Sequence, residues 1–168
     1  ITVSVLSTAI YIFIASLAAF AISAIDFRYK KPLYLFILAG LMIPGEATIV
    51  ALYIVVKNIN LLDSYAGLIL PSLAGPLGVI ILKSFFDSIP RDLVDSAKID
   101  GCSLGRMYYN VFIPLSRSAI SSVAIFTFIG VWNNYLWPFL SVMSEEMFTL
   151  PIGVPTLMQT QFNTDYIY

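Results

Sequence analysis

Few side chains in this sequence could do chemistry, and they fall into two groups. Glu46 is the one carboxylate inside an otherwise uncharged apolar run, and Trp132-Asn133-Asn134 sets two amides beside an indole in another. Such groups can exchange hydrogen bonds with polar partners, and an indole offers a flat apolar face for packing. An ionisable residue in such a run is a functional candidate by default. The structural alternative is a hydrogen bond between helices, with Glu46 capping backbone freed by Pro44. The second group is the stretch "DSAKIDGCSLGRMYYNVFIPL", Asp95 to Leu115, which carries Asp95, Lys98, Asp100 and Arg106 between two apolar blocks. Histidine is absent and Cys102 is the only cysteine, which excludes disulfides and Cys/His metal sites within the chain.

The elements that must hold these groups are helices in lipid. Hydrophobic residues make up 59% of the 168 and charged ones 11%, against about 25% in ordinary soluble domains. The mean hydropathy is +0.88. Uncharged runs of about 20 residues span a hydrocarbon core. The pattern predicts an all-α integral membrane fold with four transmembrane helices, over about residues 1–25, 33–56, 65–82 and 118–140. Ala15, Ala19 and Ser23 give the first a small-residue face suited to close packing. Pro44-Gly45 and Pro71, Gly75, Pro76 and Gly78 predict kinks in the middle two. The start at Ile1, with no methionine, charged head or cleavage pattern, suggests a domain incomplete at both ends.

Orientation follows from the basic residues. Eight of nine Lys/Arg fall in 26–32 and 83–117, so the positive-inside bias makes those loops cytoplasmic. Segment 141–168, with Glu145, Glu146 and Asp165, is then an outer loop. Counting along the helices puts Glu46 about 20 Å, and Asn133 and Asn134 about 22–24 Å, from the cytoplasmic side. All three, with Trp132, are expected in one layer that borders a solute pathway or its outer gate.

The cytoplasmic loop 83–117 reads as two short amphipathic helices. Ser88 is the candidate cap of the first, Pro90 lies in its first turn, and Gly101 is placed to end it in the left-handed region. Ser103 can start the second, with Leu104, Met107, Tyr108 and Val111 on one face and Pro114 closing it. One reading is a connector lying on lipid headgroups. A membrane-surface helix, however, carries a strongly basic face, whereas acids and bases alternate here, which suits a protein partner.

At this point the residues resemble a family. Asp95-Ser96-Ala97, then Gly101, then Val111-Phe112-Ile113-Pro114 is similar to the "EAA" loop of bacterial ABC-importer permeases. "MIPGEATIVALY", "GLILPSLAGPLGVIILKSFFDSIP", "AIFTFIGVWNNYLWPF" and "FTLPIGV" resemble the carbohydrate-uptake branch, the maltose-type second permease subunit in particular. The resemblance implies a type-1 ABC importer transmembrane domain whose cytoplasmic segment consists of coupling helices. Asp95, Ser96, Ala97, Asp100, Gly101, Arg106 and Pro114 would engage an ATPase. It implies a second, different permease chain, two cytoplasmic ATP-binding subunits and an extracytoplasmic solute-binding protein. The tail "TLPIGVPTLM" would reach towards that binding protein or serve as a plain connector.

The expected function is therefore ATP-driven import of a sugar or oligosaccharide across the bacterial cytoplasmic membrane. No G-x-x-x-x-G-K-[ST] is present, so ATP and Mg are expected in partner chains, and this chain is expected to hold no cofactor and catalyse nothing. No nucleic-acid partner is expected. The rival readings are an ABC permease for a non-sugar solute, a channel or secondary transporter, and an integral membrane enzyme. An enzyme would need a set of catalytic groups, and a channel would need no docking loop.

Overall fold

Helix α1 (Thr2–Ala24) is uncharged throughout and about 34 Å long. It is the helix that, among the described residues, is long and apolar enough to cross a membrane unaided. The computed structural model describes residues 1–164, without the side chains of residues 157 and 159–164. Asp165 of the acidic tail therefore lies outside the described residues.

Prolines break the two middle runs. Ile43, ahead of Pro44, is extended (φ −93°, ψ 113°), because a following proline disfavours helical backbone. The chain therefore forms α2 (Lys30–Ala39), a 3₁₀ turn at Gly40–Met42, and a separate α3 (Gly45–Asn58). Gly75, ahead of Pro76, is extended for the same reason (φ −74°, ψ 126°). It separates α4 (Tyr65–Ile69) and the 3₁₀ turn Leu70–Ala74 from α5 (Pro76–Asp87).

The remaining helices are α6 (Arg91–Ile99), α7 (Leu104–Met107), α8 (Ile113–Leu115), α9 (Arg117–Trp132), α10 (Leu136–Ser141) and α11 (Leu150–Thr164). A wide π turn at Tyr108–Phe112 joins α7 to α8, and Leu104–Leu115 meets α9 at a bend of 79°. No strand occurs among the described residues. By length and composition up to four spans are available, if Lys30–Met42 with Gly45–Asn58, Tyr65–Ala74 with Pro76–Asp87, and Leu104–Leu115 with Arg117–Trp132 each count as one bent span.

Local expectations shift in four places. The stretch read as an outer loop contains α11. Helix α5 continues to Asp87, so Lys83 and Asp87, read as loop residues, form an ion pair one helical turn apart. Ser88 is not the cap of α6: its hydroxyl donates to the Phe85 carbonyl at 2.7 Å, and Pro90 takes the capping position. Pro114 does not end its helix. It sits in the first turn of α8, where a missing N–H leaves nothing unpaired, and the break falls at Ser116.

The chain divides into two compact units. One comprises Ala9–Ile43 and Gly75–Phe126. Ala15 and Ala19 are fully buried there, where small side chains permit close approach of backbones. The Tyr11 phenol reaches the break before α5, donating to the Gly75 carbonyl at 2.8 Å and accepting from the Gly78 N–H at 2.8 Å. It thereby caps an α5 amide that has no partner within its own helix. A Cβ on Gly78 would lie 2.5 Å from that hydroxyl, so glycine is required for the contact. Farther along, Asp87 accepts from both Ser23 and Lys83, and the Lys83 ammonium lies 4.5 Å from the centre of the Tyr34 ring. These contacts pin α1, α2 and α5 together.

The other unit comprises Ile1–Thr8, Pro44–Ala74 and the described residues from Thr127 onward. Val56, Leu68, Trp137 and Val142 form its buried cluster, and the Trp137 indole N–H donates to the Gly67 carbonyl at 3.0 Å. Asp63 ties two connectors. Its N–H donates to the Ser141 carbonyl at 2.7 Å, and its carboxylate accepts from the N–H groups of Met143 and Ser144 at 3.1 Å and from the Ser144 hydroxyl. The Ser144 hydroxyl, followed by the two amides, holds the carboxyl below its ordinary range.

Two outcomes are expected. Tyr11→Phe removes both bonds at the α5 break and should cost about 1–3 kcal/mol, read as a lowered unfolding temperature in detergent. Because the pKa of Asp63 is depressed in the fold, its stabilisation is present above the unfolded value of about 3.9 and is lost as pH falls through the folded one. The gap in unfolding temperature between wild type and Asp63→Ala should therefore be full at pH 7 and shrink below about pH 4.

Candidate functional site

Two places bring functional side chains together. The first is the segment around α6. Asp92 lies in the first turn of α6 and Lys98 in the last, matching the helix dipole. Gly101 has φ +72°; its N–H donates to the Lys98 carbonyl at 3.0 Å, and the Cys102 N–H donates to the Ala97 carbonyl at 2.9 Å. This pair of bonds is the Schellman closure, which places a residue in the left-handed region and so favours glycine. Ser103 then caps α7, its hydroxyl accepting from the Arg106 N–H at 3.4 Å.

No side chain of α6 is buried. Asp95 and Lys98 pair at 3.5 Å on the surface, and the Ser96 hydroxyl donates to the Asp92 carbonyl at 2.7 Å. Asp100, Gly101 and Arg106 are exposed, and Ala97 and Pro114 are half-buried. Ile99 is 86% exposed, with Leu93 and Leu104 also open. The segment thus presents apolar side chains ringed by both signs of charge.

The second place is a cavity of about 410 Å³, lined wholly by one unit. Glu46, Trp132 and Asn134 are on its wall, while Asn133 is exposed and does not line it. The reason is the end of α9. The chain leaves the helix at Asn133, and the Asn134 side-chain carbonyl, still exposed, accepts from the Trp137 N–H at 3.4 Å on the cavity wall. Trp132 is stacked on Phe128, with ring centres 5.7 Å apart. Glu46 stands in the first turn of α3, yet it makes no capping bond and has no hydrogen-bond or ion-pair partner among the described residues. The capping alternative for Glu46 is therefore not what this structure contains.

Tyr65, Ser72, Glu146 and Thr149 also line the cavity, and the sequence reading missed all four. The Thr149 hydroxyl is buried with no partner. Glu146 carried a signal as an acid in the tail, but nothing local says that the tail folds back beside α3. Among the described residues lining the cavity none is lysine or arginine, and none of the described residues form a group of three potential metal ligands.

The model of the family described as "binding-protein-dependent transport system inner membrane component" matches residues 5–160. The chain belongs to that family. Among its relatives, this family member is 32% identical over 157 residues to the arabinooligosaccharides transport system permease protein AraQ of Bacillus subtilis (strain 168), covering 94% of this chain and 56% of the relative. It is 34% identical over 147 residues to the sn-glycerol-3-phosphate transport system permease protein UgpE of Yersinia pestis bv. Antiqua (strain Antiqua), covering 88% of this chain and 52% of the relative. The chain thus spans about half the length of these curated relatives. A solved bacterial ABC transporter involved in import of the acidic polysaccharide alginate superposes with a TM-score of 0.76 at 21% identity, over 91% of this chain and 55% of that one. That likeness shows that the two chains share one all-helical fold over the superposed residues.

The geometry at Gly101 gives a direct test. Gly101→Val forces a β-branched residue into the left-handed region, at a cost of at least about 1–2 kcal/mol. Thermal unfolding of the purified protein should register the loss, and Gly105→Ala, at a site with open space, should not.

Proposed function

We propose that this chain is a permease subunit of an ATP-driven importer that moves a sugar or oligosaccharide across the bacterial cytoplasmic membrane. The observation that carries this reading is the exposed α6–Gly101–α7 knob in a chain of this transporter family. A short rigid element with open apolar side chains and balanced charge suits a cleft on a partner protein. In this reading the partner is an ATP-binding subunit, and Asp95, Ser96, Ala97, Asp100, Gly101, Arg106 and Pro114 make up the coupling segment. The eight clustered basic residues turn that segment to the cytoplasm. A second permease chain and an extracytoplasmic binding protein complete the assembly, with ATP and Mg held by the ATP-binding subunits.

The four-span arrangement, with α2–α3 and α4–α5 as bent spans beside α1 and α9, is part of the same proposal. Exposed Phe36, Phe126 and Leu35 supply the apolar surface that lipid would cover. The cavity is read as part of the solute route. Glu46, with no partner among the described residues, and the Trp132 face suit hydroxyls and a ring, while Asn134 shapes the wall. Two carboxylates and no basic lining residue favour a neutral polyhydroxylated solute over a phosphate or an acidic sugar.

The test is transport and ATP hydrolysis by the full-length protein in proteoliposomes, with its ATPase and binding protein, across neutral sugars, sugar acids and glycerol phosphate. Neutral oligosaccharides should stimulate both activities. Glu46→Gln or Trp132→Ala should lower transport by about tenfold or more, the scale of one lost charge-assisted hydrogen bond, and Asn133→Ala should leave it unchanged. An uncoupled flux without ATPase would instead support the channel reading.

A further inference from the structure

Helix α6 buries none of its side chains and is joined to α5 directly through Ser88–Pro90, so the residues that follow it are its second covalent route to the membrane helices. Those residues are anchored in one place. Met107, Tyr108, Phe112 and Ser116 are each at most 4% exposed. The Phe20 ring of α1 meets Tyr108 at 5.4 Å and Phe112 at 4.9 Å, both edge-on. Phe112 also meets Phe86 of α5 at 5.3 Å, again edge-on. One aromatic cluster therefore joins the chain beyond α7 to α1 and α5, and all of it lies within a single unit.

A polar contact inside the cluster joins the π turn to α1. The Ser16 and Tyr108 hydroxyls lie 2.7 Å apart, and the Ser16 hydroxyl also donates to the Phe13 carbonyl at 3.0 Å. Serine has one proton to give. With that proton on Phe13, Tyr108 is the donor to Ser16, and the relay runs Tyr108 to Ser16 to the α1 backbone. Both hydroxyls are buried and satisfied, which holds the register of the π turn against α1. A π turn departs from ideal helix geometry and is frequent at functional sites.

We propose that Tyr108 and Phe112 are positioning residues that convert movement of α6 into movement of α1 and α5, with Ser16 as the receiving group. This rests on the reading of α6 as the ATPase-docking segment. The proportion of solute moved per ATP hydrolysed is the property these residues set.

Tyr108→Phe is the discriminating variant, because it removes the link without leaving a buried donor unpaired: Ser16 keeps its bond to Phe13. Ser16→Ala removes the same link but orphans the phenol, so it also costs stability. Both are measured in the reconstituted full complex, with assembly read by copurification, ATP hydrolysis by phosphate release and import by labelled solute. The expected result is normal assembly of Tyr108→Phe, ATP hydrolysis within about twofold of wild type, and import per ATP reduced by about two- to thirtyfold in both variants. Phe112→Leu should reduce import per ATP in the same sense. Unchanged import per ATP in Tyr108→Phe, or a lowered unfolding temperature in Ser16→Ala alone with the proportion intact, would overturn the proposal while leaving the docking reading standing. A wild-type protein that neither binds an ATPase subunit nor responds to ATP would overturn the docking reading itself, and the proposal with it.

Discussion

The Tyr11 phenol, wedged between the Gly75 carbonyl and the Gly78 N–H, answers the constraint that governs this whole molecule. Each helix break frees backbone amides and carbonyls, and hydrocarbon offers them nothing to bond with. The chain breaks its helices repeatedly, at Pro44, Gly75 and Asn133, so each break must be served by side chains or backbone from elsewhere. Tyr11 serves α5 and Asn134 serves α10. Asp63 serves the turn after α10, and the Trp137 indole serves the Gly67 carbonyl. Apart from Asn134, which lies three residues from the amide it serves, these partners come from distant parts of the chain, so the breaks that weaken single helices also fasten helices to one another.

That arrangement separates what is rigid from what is open. Buried aromatic and small residues hold α1, α5 and the π turn in fixed register, while α6 projects with all its side chains at least partly exposed. The cavity follows the same logic: the break after Trp132 turns Asn134 onto its wall, and the break at Pro44 sets Glu46 in a first helical turn beside it. Kinks in such a chain are what create concave surface. Straight helices packed by Ala15 and Ala19 alone would leave none.

The helix–glycine–helix segment was legible in the sequence because its geometry is local. The left-handed residue, the two closing bonds and the Ser103 cap all involve residues within five positions of one another. The prolines likewise fixed where the middle runs bend, through sterics on the preceding residue alone. The cavity was half legible. Counting residues put Glu46, Trp132, Asn133 and Asn134 at one depth, but depth does not say which amide of the pair lines the cavity. The end of α9 decides that, and it selects Asn134.

The break at Asn133, inside the run read as one span over 118–140, came only with the structure, whereas the sequence by itself determined the all-helical class, the glycine-broken charged segment and the proline breaks in the two middle runs. These depend on composition, on period and on the backbone limits of proline and glycine. Only the tertiary structure decided that Tyr11 caps a helix 67 residues away, that the Tyr108 hydroxyl meets that of a serine 92 positions earlier, and that Asp63 gathers amides 80 and 81 residues on. It also decided that the tail after Ser144 forms a helix and brings Glu146 to the wall opened by Glu46. No local pattern marks those pairs, because tyrosine, serine and aspartate are tolerated in many settings. Their partners are set by which helix faces meet when the apolar surface is buried.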